Sequence, residues 1–106
     1  MKDKERQTEE TRPHRKLDVW KKSLLFAKKI YLVTSKYPSS EIYGLVSQMR
    51  RAIISVPSNL AEGAARKGKK EFLYFINIAQ GSLSELDTQI ELSIMLDYIS
   101  KEEYDE

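Results

Sequence analysis

The sequence predicts an all-α fold, and three observations lead there. Apolar residues recur at helical period in three long segments, those segments are bounded by residues that start or stop helices, and 106 residues leave room for one domain with a modest core. A first segment, residues 1–16, stands apart: it is almost entirely polar, has Pro13 near its end and shows no hydrophobic period, so it is expected to be a disordered charged arm before a helical domain over 17–106.

The first helix starts at Asp18, a good N-cap, and carries Trp20, Leu24, Ala27 and Tyr31 beside Val19, Phe26, Ile30 and Val33 on one broad apolar face. Lys21, Lys22, Lys28 and Lys29 fall largely outside that face, and Pro38 ends the segment, because the residue before a proline is pushed away from helical geometry. The second helix begins after Ser39 or Ser40 and places Ile42, Leu45, Val46, Met49, Ala52, Ile53, Val56 and Leu60 on one side. Pro57 lies inside that pattern and lacks a backbone donor; since the apolar period resumes at Leu60, a kink is expected rather than a break. Gly68 marks the turn into the third helix.

The third helix, Lys69 to Tyr98, is apolar on two sides. One stripe is Phe72, Phe75, Ile76, Ala79, Leu83, Leu86, Ile90 and Ile94; a second runs through Tyr74, Ile78, Gly81, Leu92 and Leu96, with Met95 close by. A helix of a small isolated domain needs only one stripe, so the second suggests burial against another subunit or against a further helix; it is a candidate oligomer interface, where Gly81 would let a neighbouring backbone approach. After Ile99, Ser100 and Glu103 have capping-box spacing and predict the start of a fourth helix. Only about one turn of it precedes the end of the sequence at Glu106, so the expectation is either a truncated product or a fourth position filled in another way.

Composition narrows the function. There is no cysteine, which excludes disulfides, thiolate metal sites and a cysteine nucleophile, and fits a cytoplasmic location. No apolar run approaches the roughly 20 residues that cross a bilayer, and the charged, glutamate-containing start is unlike a signal peptide, so no membrane association is expected. The formal net charge of +2 hides a polarity: residues 1–70 carry seventeen Lys or Arg against seven acids, whereas residues 71–106 carry Lys101 alone against nine. A chain so divided attracts a polyanion with one surface or pairs with its own copies head to tail.

Residues suited to catalysis are scarce. Acid-base work near neutral pH most often uses histidine, and the only one, His14, lies in the arm. Asp87 and Glu91 are an i,i+4 pair of the kind that solvated helices carry routinely, so neither a metal site, a cofactor, a small-molecule substrate nor an enzymatic activity is expected. The basic residues Arg50, Arg51, Arg66, Lys67, Lys69 and Lys70 are candidate nucleic-acid contacts, provided the turn between the second and third helices folds back along the domain; a plain solvated turn is the competing reading. The arm adds Lys2, Lys4, Arg6, Arg12, Arg15 and Lys16, with a solvated tail as the alternative. Opposite the core side of the second helix runs a polar track, Arg51, Ser55, Ser58, Glu62 and Arg66 with Asn59 beside it. It serves either to satisfy backbone groups freed by Pro57, with Glu62 pairing to an arginine, or to touch a ligand or RNA.

Leu17-Asp18-Val19-Trp20-Lys21-Lys22-Ser23, Arg50-Arg51-Ala52, Val56-Pro57-Ser58-Asn59-Leu60-Ala61-Glu62-Gly63, Phe72, Phe75 and Ala79-Gln80-Gly81-Ser82-Leu83-Ser84-Glu85-Leu86 together carry a family resemblance over about Leu17 to Ile99. The pattern resembles the 23S ribosomal RNA intervening sequence protein family, also called S23-type four-helix-bundle proteins. The resemblance implies a bacterial up-and-down antiparallel helical bundle that assembles as a homopentamer, has no catalytic residues and has a proposed capacity to bind RNA or DNA. The architecture is also similar to that of accessory proteins of diversity-generating retroelements. The motif positions Arg51, Asn59, Glu62, Gly63, Gly81, Ser82 and Glu85 carry over without individual roles. The charged arm and the near absence of a fourth helix depart from the pattern. A rival to nucleic-acid binding is a scaffold that docks a protein partner on the polar track or on the second stripe of the third helix.

Overall fold

The computed structural model describes residues 12–105, which form four helices and no strand among them. They are α1 (Asp18–Thr34), α2 (Leu45–Ala64), α3 (Lys69–Met95) and the single-turn α4 (Lys101–Asp105). The all-α class follows the apolar periods; several helix ends do not follow their local signals. No helix is long and apolar enough to cross a membrane among the described residues.

Residues 1–11 of the expected arm lie outside the described residues. Its end does not hang free: Pro13–Lys16 make a 3-10 turn packed on α1 and α2. The His14 ring meets Trp20 edge-on at 4.8 Å, and the Arg15 guanidinium lies 5.6 Å over the same ring. His14 is therefore held against the folded unit, not in a mobile tail as its sequence context suggests.

Asp18 is not the cap of α1 but its first residue; Leu17 is the cap and makes no side-chain cap bond, so Asp18 acts only by placing negative charge near the positive end of the helix. The apolar face is also narrower than its sequence suggests, since Val19, Leu24 and Tyr31 are exposed. Ser23 and Thr34 are buried in that face instead, because each returns its hydroxyl to a carbonyl of its own helix, Trp20 at 2.7 Å and Ile30 at 2.7 Å. The helix ends four residues before Pro38.

The second helix begins later than Ser39 or Ser40. Ser39–Glu41 form a 3-10 turn, Gly44 caps α2, and Ile42, expected in the core, is 52% exposed. From Leu45 onward the period holds, and α2 runs unbroken through Pro57. Met49 and Ile53 are fully buried, and α2 packs against both α1 and α3, making it the central element. Gly63 explains how α3 comes so close: a Cβ there would stand 3.0 Å from Phe75 Cβ and 3.3 Å from the Phe72 carbonyl oxygen.

The third helix stops at Met95, not Tyr98. Asp97 takes a left-handed φ of 61°, and the amides of Asp97 and Tyr98 turn back to the carbonyls of Ile94 and Ser93, at 3.0 and 2.9 Å. This is a Schellman end with aspartate where glycine is usual. Leu83 is 40% exposed, whereas Gln89 and Ser93 are buried on the packed side. Ser93 satisfies its hydroxyl on the Gln89 carbonyl at 2.8 Å. The capping box predicted at the next helix start forms in both directions: Glu103 N–H donates to Ser100 Oγ and Ser100 N–H donates to Glu103 Oε1, each at 3.1 Å.

Two tyrosines tie the ends of the helices together, with ring centroids 5.1 Å apart. Burial pushes the Tyr37 phenol above its ordinary 10.0; Ser93 lies near enough to pull partly the other way, but completes no bond to it, and Glu103 adds to the rise. Tyr98 donates to Glu41 Oε2 at 2.9 Å, and that bond raises its pKa as well.

Candidate nucleic-acid interface

The turn between α2 and α3 concentrates positive charge. Lys67 and the helix-opening Lys69 and Lys70 are exposed, with no carboxylate paired to them among the described residues. Gly68 caps α3 without a side-chain bond, so the first-turn amides point outward beside two ammonium groups. Like charge at the positive end of a helix costs a few tenths of a kcal/mol per lysine and makes a docked anion correspondingly more favourable. Arg66 is less free: its guanidinium reaches Glu62 Oε2 at 3.1 Å and lies 5.0 Å over the Phe75 ring.

Arg50 and Arg51 do not join this cluster. Thirteen steps of continuous α2 from Arg51 to Ala64 amount to roughly 20 Å along the helix, and Arg66 lies beyond its end, so the six basic residues form two groups. Arg50 is occupied, since its Nε donates to Thr34 Oγ1 at 3.0 Å, an Nη donates to the Tyr31 carbonyl at 3.3 Å, and its Cζ lies over the Tyr31 ring, 4.5 Å from the centroid. It ties α2 to the carbonyl end of α1, where a cation is favoured. Arg51 is exposed.

The polar track is partly structural. Asn59 donates to the Ser55 carbonyl at 2.7 Å and to Ser55 Oγ at 2.9 Å, while Ser82 of α3 donates to the same Oγ at 2.8 Å. The carbonyl that Asn59 reaches belongs to Ser55, not to Ile53, the residue four before Pro57. Ser58 and Glu62 remain exposed, and Glu62 pairs with Arg66 as expected. Ser55 and Ser82 also line a groove of about 460 Å³ between α2 and α3, with Arg51 and Glu85 on its walls. Glu85 Oε1 accepts from Gln89 Nε2 at 3.2 Å, leaving the buried Gln89 Oε1 without a partner among the described residues. Four motif positions far apart in sequence, Arg51, Asn59, Ser82 and Glu85, thus meet along one seam.

The second stripe of α3 is solvent-facing in the single chain: Tyr74 is 62% exposed, and Ile78, Leu92 and Leu96 each more than a third. Beside Gly81, beyond the backbone of its own helix, a methyl group would meet nothing within 4 Å. A further feature escapes the helical periods. A cleft of about 670 Å³ opens between the end of α1, the connection after it and the first half of α2. Tyr43, 97% exposed, stands on its wall. The one sequence signal for it is a large aromatic beside a helix-capping glycine; the pairing of Arg50 with Tyr31 spans nineteen positions and has no local signature. Among the described residues no group of three or more His, Asp or Glu is placed to hold a metal ion.

A family model described as 23S rRNA-intervening sequence protein matches residues 15–106, nearly all of the chain. No curated protein matches it.

Proposed function

Because the chain belongs to the 23S rRNA-intervening sequence protein family, we propose that it is a non-enzymatic helical-bundle protein that self-associates and binds RNA backbone through basic surface, without reading sequence. The observation that carries this reading is the exposed set Lys67, Lys69 and Lys70 at the open N-terminus of α3, within a stretch where lysine and arginine outnumber acids by ten. On this reading the protein works in a bacterial cytoplasm, and Arg15 and Lys16, exposed in the turn before α1, add to its basic surface.

The helices follow an up-and-down antiparallel order, and subunits meet through the second stripe of α3, where Tyr74, Ile78, Leu92 and Leu96 would lose their exposure around Gly81. Five copies are the expected assembly. Repetition around a ring matters energetically: a patch of three lysines binds weakly alone, but several patches on one RNA act at high effective concentration.

Affinity then depends steeply on salt. Three lysines engaging three phosphates lose about fortyfold in affinity between 50 and 200 mM salt, and each further contact steepens the slope. Equilibrium binding of the assembled protein to a structured ribosomal RNA fragment across that range tests this. Negligible association at low salt would refute it.

A second reading, a scaffold for a protein partner, is favoured by the same exposed apolar stripe. In that case Leu92→Glu abolishes partner capture, while charge reversal at Lys69 and Lys70 leaves it intact.

A further inference from the structure

The geometry points to the cleft between α1 and α2 as a seat for unpaired nucleotides: a base stacks on Tyr43 or on the Arg50–Tyr31 pair, and Arg51 takes an adjoining phosphate. This inference rests on the reading of the chain as an RNA-binding protein, and it names the form of RNA and a place for it outside the lysine cluster.

Most of the exposed lining of the cleft is apolar, which suits the flat face of a base, and its charged groups are both cations, which suit a phosphate. Its walls carry two arginines, three tyrosines and the Ser39 and Ser47 hydroxyls beside three aliphatic side chains, while the Thr34 and Ser35 hydroxyls are spent on the carbonyls of Ile30 and Leu32. No carboxylate lines it, in a chain with sixteen acidic residues, so an anion entering meets no repelling charge on the walls. Protein interfaces are depleted of serine at their centres, whereas hydroxyls beside aromatic rings suit phosphate, ribose and base together.

The aromatic surface is already built. Arg50 is fixed by Thr34 and the Tyr31 carbonyl with its Cζ 4.5 Å from the Tyr31 ring centroid, so a guanidinium and a phenol ring stand together in the wall without further ordering. Flat guanidinium and phenol faces are what unpaired bases stack on. Tyr43 is 97% exposed on the same wall, an aromatic ring with almost none of its surface buried in the fold. Arg51 lines this cleft and also the groove between α2 and α3, so a strand leaving the cleft past Arg51 enters the seam of Ser55 and Ser82. A duplex keeps its bases stacked internally and cannot offer them to these rings.

The test uses the full chain and fluorescently labelled 12-nucleotide RNA, single-stranded and as a duplex, with anisotropy read at low salt. Tyr43→Ala is expected to weaken single-strand binding about tenfold, the loss of one stacked base, and to leave duplex binding unchanged. Tyr43→Phe should bind as the parent does, and Arg51→Gln should lower both the affinity and the salt slope. Tyr43 contributes little buried surface, so its variants are expected to fold, and light-scattering mass monitors assembly. If Tyr43→Ala binds the single strand like the parent while Lys69→Glu with Lys70→Glu abolishes binding, the cleft is overturned and the RNA reading stands. If Tyr43→Ala lowers the particle mass together with the affinity, the cleft is a contact between copies and the inference fails. No binding of either RNA by the parent overturns both.

Discussion

Ser82 of α3 donates its hydroxyl to Ser55 Oγ of α2 at 2.8 Å, and Asn59 donates to that same oxygen at 2.9 Å. One serine thus joins two helices and anchors an amide one turn along its own. Ser55→Ala should cost about 1 kcal/mol, since a half-buried hydroxyl loses its partner but water replaces part of the bond. Because both hydroxyls serve one contact, Ser55→Ala with Ser82→Ala should cost clearly less than the two single changes summed. Urea midpoints of the three variants measure this; strict additivity would mean the contact contributes nothing.

The glycines of α2 and α3 should respond oppositely to alanine. At Gly63 the new methyl meets Phe75 Cβ and a backbone oxygen, neither of which can rotate away, so the helices must part. Gly63→Ala should destabilise by about 1–2 kcal/mol even after its gain in helix propensity. Gly81→Ala meets nothing within 4 Å and should stabilise the single subunit by about 1 kcal/mol. If copies dock at Gly81, the same change lowers the resistance of the oligomer to dilution, so chemical denaturation and light-scattering mass should move in opposite directions.

Asp97 holds φ at 61° and places a negative charge at the negative end of α3. Glycine removes both penalties, at some cost in unfolded-chain entropy. Asp97→Gly should therefore raise stability by about 0.5–1 kcal/mol, read as an upward shift in the thermal midpoint. A lowered midpoint would show that the aspartate side chain holds the turn.

The two tyrosines give the fold an alkaline limit. Both have folded pKa values above 10.0, so the folded state binds their protons more tightly; the stability they add is fully present below pH 10 and is lost as pH rises through the folded values. Tyr37→Phe removes a buried hydroxyl without a partner and should be neutral or stabilising at pH 7. Tyr98→Phe breaks the bond to Glu41 and should destabilise at pH 7. Both should make the alkaline loss shallower when urea midpoints are compared between pH 7 and 11.

Local signals were the legible ones. The Ser100–Glu103 box depends on residues three apart and forms as its spacing requires; the three long periods likewise name their helices. Helix ends were not legible where a distant group decides them, as at Asp97, whose turn follows from Tyr98 reaching Glu41 and packing on Tyr37. The burial of Gln89 and Ser93 in place of Leu83 depends on which side of α3 meets α2, and period alone leaves that angle free by about one residue. For the candidate site, the cluster at Lys67, Lys69 and Lys70 is visible in the sequence as a run. That Arg50 bonds to α1 is a contact between helices with no local signature, and that roughly 20 Å of helix stand between Arg51 and the end of α2 before Arg66 requires knowing that α2 continues through Pro57.

An assembly that presents basic surface to RNA reveals both properties in one experiment, light-scattering mass after size exclusion. The chain is run at low and high salt, with and without a ribosomal RNA fragment, beside Leu92→Glu. The expected result is an oligomer whose mass survives high salt, takes up RNA only at low salt and falls to a single subunit in Leu92→Glu. A monomer that ignores RNA at every salt concentration would contradict it.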